Sequence, residues 1–192
     1  MRAVPLLFSA VLTVGTSTSA FAAASLSDAA GRYTLSADRS SLAFSIHSVA
    51  GAGISGKFGR FTGLIDIDPS DVGGSSVTIT IMPASVKTGQ ERIDSFLKSN
   101  AVFDVADNPA IRFRSTAVRR TGEKTATITG LLTARGHTGP ATFNAELSSL
   151  SGSAISFHVS GRVFRSPYGM DVGTPIYSNV VNFEMQLVGK RR

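Results

Sequence analysis

Side chains that could bind a metal or carry acid–base chemistry are few in this sequence and lie far apart. The three histidines are His47, His137 and His158, and no two of them have the spacing of metal ligands on one helix. His47 and His158 alternate with apolar neighbours, which favours exposed positions, and His137 falls in a predicted turn. Cysteine is absent, which excludes disulfides, cysteine-ligated metals and thiol catalysis. We therefore predict no metal site and no cofactor.

Two further patterns have the spacing of catalytic or cofactor motifs without their context. The segment 51–56 has the glycine spacing of a dinucleotide-binding loop, but it precedes a predicted strand instead of following one, which favours a hairpin loop. Asp66 and Asp68 share one strand face, whereas a glycosidase pair also needs a sugar cleft and one raised pKa. The sequence has no nucleophile elbow and no phosphate-binding loop. It therefore predicts a protein that is not an enzyme.

The spacing that recurs along the chain is that of apolar residues, which alternate with polar ones over short segments. Alternation of this kind gives a strand one apolar face. It predicts strands near residues 42–46, 61–67, 77–81, 111–115, 126–132, 141–147, 155–163 and 181–187. Ile93, Phe96 and Leu97 have helical spacing instead, and they predict one short helix near 89–99.

Evenly spaced strands with one continuous apolar face favour a closed antiparallel barrel over a sandwich, because closure leaves no exposed edge. Gly63, Gly130 and Gly161 lie inside predicted strands and would allow the bends that a barrel needs. The predicted fold class is all-β, an eight-stranded antiparallel β-barrel with one short helix inserted mid-chain.

The inward positions of this barrel are almost entirely apolar, so its interior should be dry and elongated. The residues expected to line a ligand cavity are Phe44, Ile46, Phe61, Ile65, Ile79, Ile81, Phe113, Phe143, Phe157, Phe183 and Met185. The residues expected to close or shape its mouth are Ile93, Phe96, Leu97, Phe103 and Tyr168. On patterning alone, the same side chains could instead fill the barrel and leave no room for a ligand.

The N-terminus has the order of a secretory signal peptide, with a positive start at Arg2, an apolar run, and small residues at Ala20 and Ala22. We expect cleavage after Ala22, with Ala24 as the second choice, which N-terminal sequencing of the exported protein would check. The apolar run is short for a membrane span, although an uncleaved anchor is the alternative, and no later segment is long enough. The predicted organisation is a signal peptide at 1–22, a flexible leader at 23–31 and one domain at 32–189, in the periplasm or secreted.

Basic residues outnumber acidic ones, 19 to 13, but they are spread along the chain. The densest groups include Arg119 with Arg120 and the terminal residues 190–192, and they are shorter than the basic stripe of a nucleic-acid-binding surface. We therefore predict no nucleic-acid partner.

Several segments, in order along the chain, resemble the YceI-like family. Residues 33–44 resemble its opening strand, and Phe103-Asp104-Val105 with Pro109 and 111–116 resembles its central core. Further resemblances lie in 56–63, 84–88, 97–99, 130–140 and 165–170, so that the similarity covers about 32–188. It implies a lipocalin-like extended barrel, periplasmic or secreted, that binds a long-chain isoprenoid or a similar amphiphile and needs no metal.

Some positions depart from the family pattern. Phe96 stands where relatives commonly carry histidine, which makes the lid more apolar, and Gly139 stands where a basic residue is usual. The function implied is non-catalytic binding, transport or storage of a hydrophobic long-chain lipid. Two alternatives stay open: a small enzyme acting on a hydrophobic substrate in the same cavity, and an envelope interaction module with a filled barrel. A homodimer is also left open.

Overall fold

The computed structural model describes residues 24–192, and within that range it consists of strands, one α-helix and short 3-10 turns. The first six strands are β1 (Gly31–Leu35), β2 (Ser41–Ser48), β3 (Gly51–Phe58), β4 (Phe61–Ile67), β5 (Ser76–Ile81) and β6 (Val86–Lys87). The helix α1 (Glu91–Lys98) follows β6. The last five strands are β7 (Ile111–Arg120), β8 (Thr125–Ala134), β9 (His137–Ser151), β10 (Ala154–Phe164) and β11 (Tyr177–Arg191).

Eight of these strands close into a barrel. They are hydrogen-bonded in the order β1-β4-β5-β7-β8-β9-β10-β11, and β11 pairs back onto β1. The closing pair runs antiparallel, from Tyr33 opposite Arg191 to Leu35 opposite Gly189. The predicted all-β fold, an eight-stranded antiparallel barrel with one helix, is therefore confirmed.

The three remaining strands lengthen the barrel at one end. β2 continues β1 beyond a 3-10 turn and pairs with β11, β3 precedes β4 and pairs with β2, and β6 follows β5 and pairs with β3 at two residues. Three adjacent walls of the barrel thus each consist of two strand segments: β1 with β2, β4 with β3, and β5 with β6.

The prediction of a hairpin loop at 51–56 was wrong. These residues belong to β3, which pairs with β2 from Gly51 opposite Ser48 to Phe58 opposite Leu42. Most of β3 is exposed, so it has no apolar alternation to reveal it. Backbone hydrogen bonds to β2 form this strand, and side-chain burial contributes little.

The predicted helix is confirmed, and α1 lies within the expected 89–99. The part of the chain that the structure describes contains no helix of the length and apolar character needed to cross a membrane. The helix joins the two-residue strand β6 to a loop that leads into β7, so it lies at the extended end of the barrel, which we call the helix end.

The segment expected to be a flexible leader is packed against the opposite end of the barrel from residue 24 onward. Leu26 is 4% exposed and Ala29 is fully buried. The backbone N–H of Leu26 donates to the carbonyl oxygen of Glu123, in the β7–β8 turn, at 2.9 Å. Buried Leu26 and Ala29 and hydrogen bonds to distant residues hold this segment, features that its small and polar composition does not reveal.

Two of the predicted barrel glycines make room for phenylalanine rings on the neighbouring strand. A Cβ atom at Gly130 would lie 2.7 Å from Cζ of Phe113, and one at Gly161 would overlap the ring of Phe143. Beside Gly130, the β7–β8 pairing shifts register between Ser115 and Ala117. Glycine is therefore required at these positions by the aromatic rings that face the interior and, at Gly130, also by the backbone carbonyl of Arg114.

Candidate functional site

The barrel encloses an apolar cavity of about 160 Å³ that runs along its length. On β8 alone, the cavity is lined at Ala126, Ile128, Leu132 and Ala134. Eight residue steps cover about 26 Å along a strand, or roughly 20 Å along the axis of a barrel whose strands tilt by about 40°. The interior is therefore long and narrow, and it holds space that the alternative of a completely filled barrel would lack.

Ten of the eleven residues predicted to line the cavity do line it. They are Phe44, Ile46, Ile65, Ile79, Ile81, Phe113, Phe143, Phe157, Phe183 and Met185. Phe61 is the exception: it is 4% exposed but lies in the wall at the start of β4, away from the cavity surface. That these residues contact a ligand stays a prediction.

The lining also includes residues that were not predicted. Many of them belong to the alternation of the predicted strands but were not named as lining positions: Leu42, Ile67, Val77, Leu132 and Leu187. Others lie in loops at the two ends of the barrel, where no periodicity identifies them: Leu26, Val72, Val102, Arg165 and Met170.

Three of the five predicted mouth residues lie at the cavity: Leu97, Phe103 and Tyr168. Phe96 is 45% exposed and points away from it, and Ile93 is half-buried outside it. The reason is the orientation of α1, whose buried residues are Asp94 and Leu97, one turn apart. The apolar stripe predicted from Ile93, Phe96 and Leu97 is therefore not the face of α1 that packs on the barrel, which carries Asp94 and Leu97.

Asp94 connects α1 to the strand that precedes it. Its Oδ1 accepts hydrogen bonds from the backbone N–H and the hydroxyl of Thr88, each at 2.7 Å, and Lys87 Nζ lies 3.5 Å from Oδ2. The hydrogen bonds from Thr88, assisted by the charge of Lys87, lower the pKa of the Asp94 carboxyl below its ordinary value of 3.8, against a smaller opposing effect of burial. The carboxylate thus fixes the helix over the end of the cavity.

We expect the Asp94→Asn variant to be less stable than wild type at neutral pH, because asparagine keeps Oδ1 but loses the charge. The folded pKa is depressed, so the stabilisation is present above about pH 4 and is lost as the pH falls through the folded value. Thermal unfolding between pH 2 and pH 7 measures this. A difference in Tm between the two proteins that is the same at pH 2 and pH 7 would contradict it.

Arg165 is a buried cation at the helix end of the cavity, with 6% of its surface exposed. Its guanidinium donates to the carbonyl oxygens of Ser178 (2.9 Å), Val172 (2.9 Å), Tyr177 (3.1 Å) and Met170, and to the hydroxyl of Thr174 (3.0 Å). Burial lowers the pKa of this guanidinium, and the nearby Asp171 carboxylate partly offsets the effect. All five N–H groups are used to hold the 166–178 loop around one side chain.

Tyr168 lies in this loop and is 2% exposed. A Cβ atom at Gly139 would lie 3.1 Å from its Oη, so the absence of a side chain at Gly139 makes room for the tyrosine. Burial raises the pKa of the Tyr168 hydroxyl. The helix end is therefore closed by Tyr168 with Leu97 and Phe103.

Groups of three or more histidine, aspartate or glutamate side chains placed to hold a metal do not occur among residues 24–192. His158 lies 3.1 Å from Glu184 Oε2 and 3.0 Å from Gln186 on the outside of the barrel. These polar groups are thus separate from the cavity.

Comparison with known proteins agrees with this architecture. Residues 33–189 match the family model described as the YceI-like domain. A UPF0312 protein of Pseudomonas savastanoi pv. phaseolicola is 37% identical over 107 residues, which cover 54% of this chain and 56% of that protein. A UPF0312 protein of Staphylococcus epidermidis is 29% identical over 138 residues, covering 69% of this chain and 78% of the relative. The alignments with the Pseudomonas relatives thus span only about half of those proteins.

Two solved structures share the fold at low sequence identity. BcnA of Burkholderia cenocepacia superposes with a TM-score of 0.74 at 22% identity, over 80% of this chain and 98% of its own. A polyisoprenoid binding domain from Saccharophagus degradans, implicated in plant cell wall breakdown, superposes with a TM-score of 0.68 at 17% identity, over 83% of this chain and 98% of its own. These two structures share the fold, and the family match over residues 33–189 shows that the protein belongs to the YceI-like family.

Proposed function

We propose that this protein binds a long-chain lipid of the isoprenoid class inside its barrel and carries or stores it without chemical change. The observation that supports this most is the shape and chemistry of the cavity, which is long, narrow and lined almost throughout by aliphatic and aromatic side chains. A prenyl chain has no hydrogen-bonding groups, so burial of its apolar surface, at roughly 25 cal/mol per Å², must supply the affinity.

The isoprenoid class is supported by the Saccharophagus degradans structure, whose description names polyisoprenoid binding and whose fold this chain shares. A fold alone does not define a ligand, so the choice rests on the cavity as well. Isoprenoids are branched and flexible, and a narrow cavity lined by many separate side chains suits such a chain better than a rigid ring system.

The non-catalytic role is supported by where the polar lining groups lie. Ser75, Arg165 and Tyr168 are at the two ends of the cavity, and every N–H of Arg165 is already donated to the protein. An enzyme would need convergent polar groups beside the reacting atoms. Export to the periplasm or beyond is proposed from the signal-like order of residues 1–22, which lie outside the described residues.

Binding is tested by displacement of a polarity-sensitive dye from the purified protein with isoprenoid alcohols of increasing length. We expect the alcohols to displace the dye from the wild-type protein. In Ile79→Phe, the longest alcohol that still displaces the dye should be shorter, because the larger ring narrows the cavity where Ile79 faces it. Thr78→Phe is the matched control, since Thr78 is exposed on the outside of β5. Equal length limits in Ile79→Phe and wild type would place the ligand elsewhere, and chemical conversion of the alcohol would favour the enzyme alternative.

A further inference from the structure

We propose that the segment 24–30 is a plug that closes the barrel end opposite α1, and that Leu26 sets the longest chain the cavity accepts. This inference rests on the lipid binding proposed above and adds the residue that limits ligand length. Leu26 is both 4% exposed and part of the cavity lining, so a side chain from outside the strands forms the end of the tunnel.

The plug lies across the strand ends at this side of the barrel. The N–H of Leu26 donates to Glu123 O in the β7–β8 turn at 2.9 Å. The N–H of Ala29 donates to Leu26 O at 3.2 Å, and this hydrogen bond closes a tight turn within the plug. Ile67 and Val72 line the same end of the cavity, from the end of β4 and the turn that follows it. The leucine therefore fills the gap between the β7–β8 turn and the β4–β5 connection.

Polar contacts with three neighbouring strands fix the plug in place. Tyr33 Oη donates to Ala29 O at 2.9 Å, and Arg191 donates to Ala30 O at 2.8 Å and to Tyr33 Oη at 2.7 Å. Arg120 donates to Ser27 Oγ at 3.1 Å. Strands β1, β7 and β11 thus each contribute one anchoring side chain, and the position of Leu26 is defined from three sides of the barrel.

The chemistry of the two ends sets the direction of a bound chain. At the plug, the lining is Leu26, Ile67 and Val72, together with Ser75, whose hydroxyl already accepts the Asp68 N–H at 3.1 Å. The helix end contains Tyr168 and Arg165, and although every N–H of Arg165 is donated to the protein, its positive charge makes this end the more polar of the two. An apolar tail therefore fits against Leu26, and the polar head of an amphiphile fits toward the helix end.

The test measures affinity for straight-chain fatty alcohols of increasing length by displacement of the same dye from the full-length mature protein. Each buried methylene strengthens binding roughly fourfold, so affinity should rise with length and then level off once the tail reaches Leu26. In Leu26→Ala the plateau should begin at an alcohol about three carbons longer, since about three methylene-sized groups are removed from the end of the cavity. In Leu26→Phe it should begin earlier.

Leu64→Ala is the matched control, because Leu64 is 43% exposed on the outside of β4 and the side-chain change is the same. Thermal unfolding checks that each variant is folded. If Leu26→Ala does not fold, Leu26→Val replaces it, with an expected shift of the plateau by about one carbon. A plateau that stays at the wild-type length in folded Leu26 variants would overturn the plug, as would altered binding rates with no shift in length. Failure of the wild type to bind any of the alcohols would instead count against the proposed function.

Discussion

The Phe143→Arg variant is expected to lose lipid retention, to less than about a hundredth of the wild-type affinity, because it places a charge in the middle of an apolar cavity. Phe143 is 8% exposed and lines the cavity. Its ring lies edge-on to Phe113 at 5.2 Å between centroids, and 6.1 Å from the ring of Phe183. An arginine here would bring water into the tunnel and remove the centre of this aromatic cluster.

Thr142→Arg is the control for this change, since the neighbouring side chain is exposed on the outside of β9. If Phe143→Arg does not fold, Val159→Thr gives a milder version, because it exchanges one methyl group of the cavity wall for a hydroxyl of similar shape. We expect it to weaken binding roughly tenfold. The lipid content is read by mass spectrometry after extraction, and full retention in a folded Phe143→Arg protein would place the lipid outside the barrel.

The Arg165→Met variant is expected to lose about 3–5 kcal/mol of unfolding free energy, because four backbone carbonyls and a threonine hydroxyl lose their donor in a buried place. In a domain of this size that corresponds to a fall in Tm of roughly 10 °C. Arg165→Lys should recover only part of the loss, since lysine cannot reproduce the planar set of five donors.

Arg162→Met serves as the comparison, because Arg162 is an exposed residue of β10 three positions earlier. Its replacement should change stability by about 0.5 kcal/mol or less. Thermal or denaturant unfolding measures both variants. Equal stability of Arg165→Met and Arg162→Met would mean that the 166–178 loop does not depend on the guanidinium.

Much of the barrel could be predicted from the sequence because its inner wall is encoded in a pattern with a period of two residues. Once closure is assumed, each apolar position of that pattern must face the interior, which is why Phe44, Phe113 and Met185 were placed correctly. Phe61 follows the same pattern but lies where β3 turns into β4, and there facing inward no longer means facing the cavity.

The parts that could not be predicted depend on contacts between residues far apart in the chain. β3 is formed by backbone pairing with β2, which leaves no apolar signal, and the plug depends on one leucine meeting the β7–β8 turn. Arg165 was recognised only as part of a motif that resembled a family turn. Its partners are mainly backbone carbonyls, which the identity of neighbouring residues does not reveal.

The most direct test of lipid carriage is mass spectrometry of the organic extract from protein expressed with its own N-terminus and purified without detergent. We expect a long-chain isoprenoid or a similar amphiphile at close to one molecule per protein chain, and its absence from the extract of folded Phe143→Arg protein prepared in parallel. A wild-type extract with no lipid beyond that of the variant would contradict the proposal that the barrel is a lipid-binding site.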